Sequence, residues 1–220
     1  MRRAALVLAA VFAVLAGRAV YAQGPPPPLP RVVLDLQGFL PVFPNDATQL
    51  ADSRPADSTR SLLVTELPGA GLGGRAGAHV YLFKYKAITL GVGGDVAFGR
   101  SSSTPAEGST GLRPVDERLI TGDGQVSLNF GTGHGWSYVS GGAGRSRWSL
   151  HPSGGAETSA DLESLPTMNY GGGARWFIRK HLAFSLDGRI YEIQPGTATA
   201  GRPGSPRTRL FTVGAGISLK

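Results

Sequence analysis

Apolar and polar residues alternate along eight separate segments of this chain. In the segment ITLGVGGDVAF, Ile88, Leu90 and Val92 share one parity, while Thr89 and Asp95 take the other. Such alternation is typical of a β-strand with two different faces, because successive side chains of a strand point to opposite sides. The eight alternating segments span residues 32–40, 73–83, 88–98, 119–130, 136–150, 168–178, 182–190 and 210–219.

The fifth segment, WSYVSGGAGRSRWSL, has the least regular pattern because its centre is rich in glycine. Its charged members, Arg145 and Arg147, share one parity, and Trp136, Tyr138 and Trp148 share the other. As in the other segments, we expect the charged residues to lie on the polar side of the sheet and the aromatic residues on the apolar side.

The connections between these segments alternate between short and long. The short ones cover residues 84–86, 131–135 and 179–181, and the long ones cover residues 41–69, 100–118, 151–166 and 193–208. This alternation, an even number of strands and apolar bands of about 10 residues are typical of a transmembrane β-barrel. A sheet that spans a membrane must close on itself, since unpaired backbone groups are costly in hydrocarbon. The sequence therefore predicts an all-β fold, an eight-stranded antiparallel up-and-down transmembrane β-barrel with four long loops at one end.

In such a barrel the polar parity of each strand faces the interior. Nine charged residues have this parity: Asp35, Arg75, Asp95, Asp123, Arg145, Arg147, Arg175, Asp187 and Arg189. An eight-stranded barrel is just wide enough to be filled by side chains. We therefore predict a packed lumen in which these acids and arginines form ion pairs, rather than a wide pore.

The first residues have the pattern of an export signal. Arg2 and Arg3 precede an apolar run, and Val20 and Ala22 supply the small residues before a cleavage site, so residues 1–22 are predicted to be a signal peptide. Residues 23–30 form a proline-rich spacer, and residues 31–220 form one barrel domain. Loss of the signal peptide would remove three arginines and lower the formal net charge from +7 to +4. So small an excess gives no support for a nucleic-acid partner.

The stretch YGGGARWFIRKHLAFSLDGRIY, residues 170–191, predicts a hairpin that crosses the membrane twice, with Tyr170, Trp176 and Tyr191 at the membrane interfaces. This stretch, together with GVGGDVAFG at residues 91–99, resembles the small outer-membrane β-barrel proteins of Gram-negative bacteria, typified by the transmembrane domain of outer membrane protein A. The resemblance covers residues 31–220. One departure is that the last strand ends in Ile217, Ser218, Leu219 and Lys220, without the terminal aromatic residue that is usual in that family.

The resemblance implies a location in the outer membrane, with membrane lipid and the barrel assembly machinery as partners. It also implies a structural or surface-interaction role, with any extracellular ligand held by the four long loops. Two further possibilities are a narrow channel or carrier for small or apolar solutes and a lipid A-modifying enzyme. A fourth is a soluble, lipocalin-like periplasmic barrel, whose apolar side chains would point inward.

Two sequence motifs suggest other chemistry but lack the context that it requires. Gly69, Gly71 and Gly74 match a dinucleotide-binding pattern, yet an alternating segment follows them where a helix is needed. His151 and Ser153 have the spacing of a base and a nucleophile, but Pro152 interrupts the strand between them. The four histidines have no ligand spacing, and the chain has no cysteine. We therefore expect no catalytic residue, cofactor or metal site.

Overall fold

Eight antiparallel strands form one closed barrel in a computed structural model that describes residues 28–45, 47–57, 60–86, 88–105, 107–199 and 201–220. The predicted signal peptide at 1–22 and most of the predicted spacer at 23–30 lie outside these described residues. The strands are β1 Val32–Val42, β2 Leu72–Tyr85, β3 Ile88–Ser103, β4 Val115–Thr132, β5 Gly135–Pro152, β6 Ser164–Phe177, β7 Leu182–Ile193 and β8 Thr208–Leu219.

Each strand pairs with its neighbours in the sequence, and β8 pairs with β1 to close the sheet. The closing ladder runs from Leu34 opposite Leu219 to Val42 opposite Phe211. No strand edge is left unpaired between the first and last strands, which is the property that allows a sheet to exist in hydrocarbon. The predicted eight-stranded, antiparallel, up-and-down topology is confirmed.

Apolar side chains cover the outside of the barrel. Leu36 and Val96 are more than 60% exposed, and Leu90, Val92 and Phe184 also lie on this outer parity. A protein in water would bury such residues, whereas a surface in contact with lipid acyl chains exposes them. The apolar faces of seven of the eight predicted segments therefore point outward.

Strand β5 is the exception, and the prediction for it was wrong. Arg145 and Arg147 point outward and are exposed, whereas Trp136, Tyr138 and Trp148 point inward and are buried. The aromatic rings fill the two ends of the lumen, where apolar volume is needed, and the arginines lie on the outer face, with Arg147 opposite Ile120 of β4. The predicted interface position of Tyr191 was also wrong, because this residue is buried inside the barrel.

Inward-facing glycines make room for large inward side chains on neighbouring strands. A Cβ atom added at Gly173 in β6 would lie 2.7 Å from the hydroxyl oxygen of Tyr138 in β5. One added at Gly91 in β3 would lie 2.9 Å from the ring of Tyr81 in β2. The glycine-rich strands therefore allow aromatic rings to fit inside a barrel of only eight strands.

The long connections lie at one end of the barrel and the short ones at the other. We name the long ones L1 (43–71), L2 (104–114), L3 (153–163) and L4 (194–207). L1 contains a short helix, α1 Thr48–Asp52, and a 3-10 turn, Val64–Glu66; L3 contains α2 Ser159–Leu162. No helix in the described ranges is long and apolar enough to cross a membrane.

Candidate functional site

The interior of the barrel contains the charged residues that the alternation assigned to it on β1, β2, β6 and β7. Arg175 forms a two-point contact with Asp35: its Nε atom lies 3.0 Å from Oδ1 and its Nη2 atom 2.6 Å from Oδ2. Ser218 donates to the same carboxylate, and the Nε2 atom of His79 lies 3.3 Å from it. The guanidinium group of Arg175 also lies 4.3 Å from the centre of the Tyr138 ring. Such a pair has both the geometry and the extra hydrogen bonds that a buried charge requires.

A second ion pair lies beside the first. The Nη2 atom of Arg75 lies 2.6 Å from Oδ1 of Asp187, and the Tyr138 hydroxyl donates to Oδ2 at 2.6 Å. Arg75 also donates to the side-chain oxygen of Gln37, and the amide of Gln37 donates to Ser185 at 3.1 Å. These contacts join β1, β2, β5 and β7 across the lumen.

The third interior group is centred on Arg189. Its Nη1 atom donates to Gln125 at 2.9 Å and to Asn169, and its Nη2 atom lies 3.4 Å from Asp187. Gln125 in turn donates to Asp95 at 2.8 Å. Asp123, which is opposite Asp95 in the register, also faces the interior, but neither of its carboxylate oxygens has a hydrogen-bond partner in the described part of the chain.

The lumen therefore contains Asp35, Asp95, Asp123 and Asp187 with Arg75, Arg175 and Arg189. The predicted network also included Arg145 and Arg147, which are outside, so four acids meet three arginines instead of five. The structure brings Asp35, Asp187 and the three arginines into direct ion pairs and places Asp95 within reach of Arg189 through Gln125.

Aromatic residues close the end of the lumen at the short turns. Tyr81 and Trp136 meet edge to face with ring centres 5.7 Å apart, and Trp136 stacks on Phe177 at 5.4 Å. Val33 and Tyr138 belong to the same buried cluster. This cluster separates the ion pairs from the solvent below them.

L1 folds into the other end of the lumen and fills it with apolar side chains. Phe43, Leu50 and Leu62 from L1 are at most 2% exposed. They pack against inward residues from the upper ends of five strands: Val115, Leu119, Trp148, Leu150, Leu165, Tyr191, Ile193 and Leu210. We call this cluster the loop cap. It places a layer of hydrocarbon between the ion pairs and the loop side of the barrel.

Polar groups are also buried within the loop cap. Arg54 of L1 is fully buried; its Nη2 atom donates to the carbonyl oxygen of Trp148 at 3.1 Å, and its Nε atom lies 3.8 Å from Asp161 of L3. The indole nitrogen of Trp148 donates to Glu117 at 2.8 Å, and Asp161 accepts from the backbone nitrogen of Leu150. The loop cap is therefore held by hydrogen bonds from L1 and L3 as well as by packing.

The cavity that remains between the interior charges has a volume of about 10 Å³. This is about the volume needed to hold one water molecule. The aromatic cluster lies on one side of this cavity and the loop cap on the other.

Comparison with known proteins supports the fold. No family model matches this sequence, and no curated protein matches it by sequence. Among solved structures, it is similar to Neisserial surface protein A, with 13% identity over 87% of this chain and 97% of that chain and a TM-score of 0.53. It is also similar to OprG from Pseudomonas aeruginosa, with 9% identity over 88% and 97% of the two chains and a TM-score of 0.50. This chain has the fold of the small outer-membrane β-barrel proteins. At these identities the similarity is one of fold, and at that level it confirms the resemblance found in the sequence.

The four long loops are joined to one another by hydrogen bonds. Glu66 of L1 accepts two hydrogen bonds from Arg60, at 2.8 and 2.9 Å, one from the backbone nitrogen of Leu63, and one from that of Arg113 in L2. L4 contacts L1 through Arg202 and Ser61 at 2.9 Å. L4 also contacts L3 where the hydroxyl of Thr197 donates to Glu163 at 2.7 Å. The four loops therefore form one connected surface.

The hydrogen bonds to Glu66 predict an unusual response to acid. The bond from Arg60, followed by those from the two backbone nitrogens, lowers the pKa of Glu66 from 4.5 to about 2. A carboxylate whose pKa falls on folding stabilises the fold above its unfolded pKa, and this contribution is lost as the pH falls through the folded value. The amide proton signals of Leu63 and Arg113 are therefore expected to titrate in NMR with a midpoint near pH 2, and a midpoint near 4.5 would contradict the prediction. In Glu66→Gln the titration should be absent.

The other sequence candidates do not come together as a catalytic or ligand site. His151 is buried, and its Nδ1 atom lies 3.1 Å from the carbonyl oxygen of Pro152, while Ser153 is exposed at the start of L3. Gly71 directly precedes β2 and Gly74 lies within that strand, so no helix follows them. Among the described residues, no three His, Asp or Glu side chains are grouped to hold a metal ion.

The loop cap was not predicted from the sequence, although a signal for it exists. Three leucines recur within L1, namely Leu50, Leu62 and Leu67. Asp187, Arg189, Tyr191 and Ile193 all have the inward parity of β7. The two residues nearest to the loops, Tyr191 and Ile193, are apolar, whereas the two further from the loops are charged. Apolar residues on the inward parity near the loops, together with apolar residues in a long loop, indicate a loop that fills the lumen.

Proposed function

We propose that this chain is an exported outer-membrane protein whose closed barrel anchors a connected set of surface loops, and that its role is structural or one of surface interaction. The observation that carries this proposal is the filled lumen: a cavity of about 10 Å³ lies between an aromatic cluster and the loop cap. A lumen of this kind supports a function at the surface of the barrel rather than through its centre.

Two further features support the proposal. The outer face of the strands is apolar, as a surface in contact with lipid must be. The loops are joined by side-chain hydrogen bonds across L1 to L4. Loops ordered in advance lose less conformational entropy when a partner binds, so this arrangement suits recognition at the loop surface.

The location and partners follow from the same proposal. The signal peptide at residues 1–22 would direct export, the barrel assembly machinery would insert the strands, and outer-membrane lipid would surround the apolar face. Cell fractionation should recover the protein in the outer membrane, and its gel mobility should change on boiling. A soluble periplasmic protein whose mobility is the same before and after boiling would contradict this location and favour the lipocalin-like alternative.

A channel or carrier role makes a different prediction. Because ion pairs and two apolar layers fill the lumen, the purified barrel is expected to give no stepwise currents in planar lipid bilayers. A general porin measured in the same bilayers is the positive control. Stepwise currents that disappear in Asp187→Asn would show that solutes pass along the charged residues and would replace the structural role with transport.

A further inference from the structure

The lumen contains more acidic than basic side chains. Between the aromatic cluster and the loop cap, the barrel interior has four aspartates and three arginines. His79 is the one further basic group that the described residues place in this layer. With every aspartate ionised and His79 neutral, the layer carries one net negative charge. Such a charge is costly inside a protein unless a partner compensates it.

The excess negative charge lies on Asp95 and Asp123. The other two aspartates of the lumen form ion pairs with the three arginines, whereas neither Asp95 nor Asp123 forms one with any residue that the structure describes. Asp95 accepts a hydrogen bond from Gln125 through its Oδ2 atom, and its buried Oδ1 atom has no partner in the described part of the chain. Both carboxylate oxygens of Asp123 are likewise buried without a partner there.

The two carboxyl groups face each other across neighbouring strands. Asp95 of β3 and Asp123 of β4 are direct partners in the register, and both have the inward parity of their strands. Side chains that are directly opposite in an antiparallel pair have Cβ atoms about 4.5–5.5 Å apart. Two ionised carboxylates in such a position repel each other, whereas a protonated carboxyl group donates a hydrogen bond to a carboxylate beside it.

Glycines occupy the positions on either side of this pair. On β2, a Cβ atom added at Gly77 would lie 3.1 Å from the Cβ atom of Asp95. On β5, one added at Gly144 would lie 2.6 Å from the Cβ atom of Asp123. Beyond β5, the amide group of Asn169 on β6 interacts with Asp123, and its nitrogen atom has no hydrogen-bond partner among the described residues. This amide is neutral, so it does not balance the charge of the pair.

The other titratable groups of the lumen are already engaged or are neutral. The three arginines face the pair but are bonded to Asp35 and Asp187. The remaining groups are His79 of β2, Tyr138 of β5 and Tyr191 of β7. His79 contacts Asp35, to which a neutral imidazole ring can donate, and tyrosine side chains are uncharged near neutral pH. No described side chain of the lumen is therefore placed to balance a second charge on the pair.

We propose that Asp95 and Asp123 hold one proton between them, which makes the lumen electrically neutral. One carboxyl group then donates a hydrogen bond to the other, and four acids with one shared proton balance three arginines. Loss of this proton places two facing negative charges inside the barrel, so the fold should become less stable as the pH rises. This proton-binding site lies inside the barrel and does not depend on the proposed role of the loops.

Infrared spectroscopy can detect the protonated carboxyl group directly. The full chain, with aspartate labelled at its side-chain carboxyl carbon by carbon-13, is folded in detergent micelles and measured at about pH 6, where ordinary aspartates are ionised. Wild type should show the carbonyl band of one protonated aspartic acid. The band should be absent in Asp123→Asn, whose three remaining acids match the three arginines, and unchanged in Asp52→Asn, which removes an exposed carboxylate of α1. Absence of the band in wild type would overturn the proposal, and a doubly protonated His79 ring in nitrogen-15 NMR spectra would then identify the group that holds the proton.

The pH dependence of unfolding provides a second test. Both aspartates of the unfolded chain are ionised above about pH 5, so the folded wild type binds one proton that unfolding releases. Relative to Asp123→Asn, the unfolding equilibrium constant of wild type should therefore rise about tenfold from about pH 5 to about pH 6. An equal pH dependence of the two proteins would contradict the shared proton. If Asp123→Asn does not fold, Asp95→Asn takes its place, and the wild-type spectrum still decides whether the proton is present.

Discussion

Replacing Arg175 with methionine is expected to lower the free energy of unfolding by about 3–5 kcal/mol. The side chain of Asp35 is 7% exposed, and its carboxylate would lose both hydrogen bonds from the guanidinium group. Ser218 and His79 would remain as its contacts, and neither carries a permanent positive charge. Loss of one partner of a buried pair leaves the other charge uncompensated, which is why the expected effect is large. Urea unfolding in lipid vesicles, followed by gel mobility, would measure it.

A variant of the same chemical type on the outer face provides the control. Arg145→Met removes an exposed arginine and should change the free energy of unfolding by no more than about 0.5 kcal/mol. The double variant Asp35→Asn, Arg175→Met should be less destabilised than Arg175→Met alone, because no unpaired charge remains. If the double variant is as unstable as the single one, the loss comes from packing around Arg175 rather than from the charge of Asp35.

The alternation in the sequence predicted the direction of most side chains because one face of nearly every strand is apolar. A surface in contact with lipid requires such an outer face, so a transmembrane barrel assigns the parity of Leu34 and Leu36 on β1 or Phe184 and Leu186 on β7 without coordinates. The inward parity then follows for Asp35 and Asp187. The closed topology could be predicted for a related reason, since no other sheet arrangement pairs every strand in hydrocarbon.

The rule fails on β5, where the outer face carries charged side chains. Arg145 and Arg147 point outward although they are charged, so polarity no longer separates the outside from the inside. The four residues before Arg145 are Gly141, Gly142, Ala143 and Gly144, which carry almost no apolar signal. The register with β4 decides the direction of the strand, because Arg147 is opposite outward Ile120. That pairing is a long-range contact that the alternation within one segment does not reveal.

Three-dimensional contacts also decide which charges meet. The sequence placed Asp35 and Arg175 on the same face of different strands, 140 positions apart, but gave no reason to pair them with each other rather than with Asp187. The pairing depends on the relative heights of β1 and β6 in a tilted barrel. The residue pattern therefore predicts that acids and arginines face the lumen. Which acid pairs with which arginine depends on the register of the strands.

Filling the upper lumen with L1 links the fold to the proposed function. A loop that only crossed the surface would leave the inward apolar residues of β4 to β8 in contact with water. Because L1 covers them, burial of its leucines also fixes the positions of Glu66 and Arg60, which join L1 to L2. The order of the loop surface thus depends on packing inside the barrel, and a change in the loop cap should affect the loops before it affects the strands.

Trp148→Ala is expected to destabilise the loop cap by about 3–5 kcal/mol, which is the usual cost of removing a buried tryptophan side chain. Trp148 is 1% exposed, and its indole nitrogen donates to Glu117, whose other carboxylate oxygen has no partner among the described residues. The variant therefore creates a cavity and leaves a buried carboxylate without this hydrogen bond. Cleavage of L1 by added protease should become much faster, while the barrel still changes mobility on boiling.

Two variants separate these effects from a general loss of aromatic residues. Trp176→Ala removes the same side chain from the outward face of β6 and should leave the cleavage rate of L1 unchanged. Trp148→Phe keeps most of the packing but removes the donor to Glu117, so its cleavage rate should fall between those of wild type and Trp148→Ala. If L1 in Trp148→Ala is as resistant to protease as in wild type, the loop is held by the hydrogen bonds between loops alone. In that case Glu66→Gln, rather than a change in the lumen, would release it.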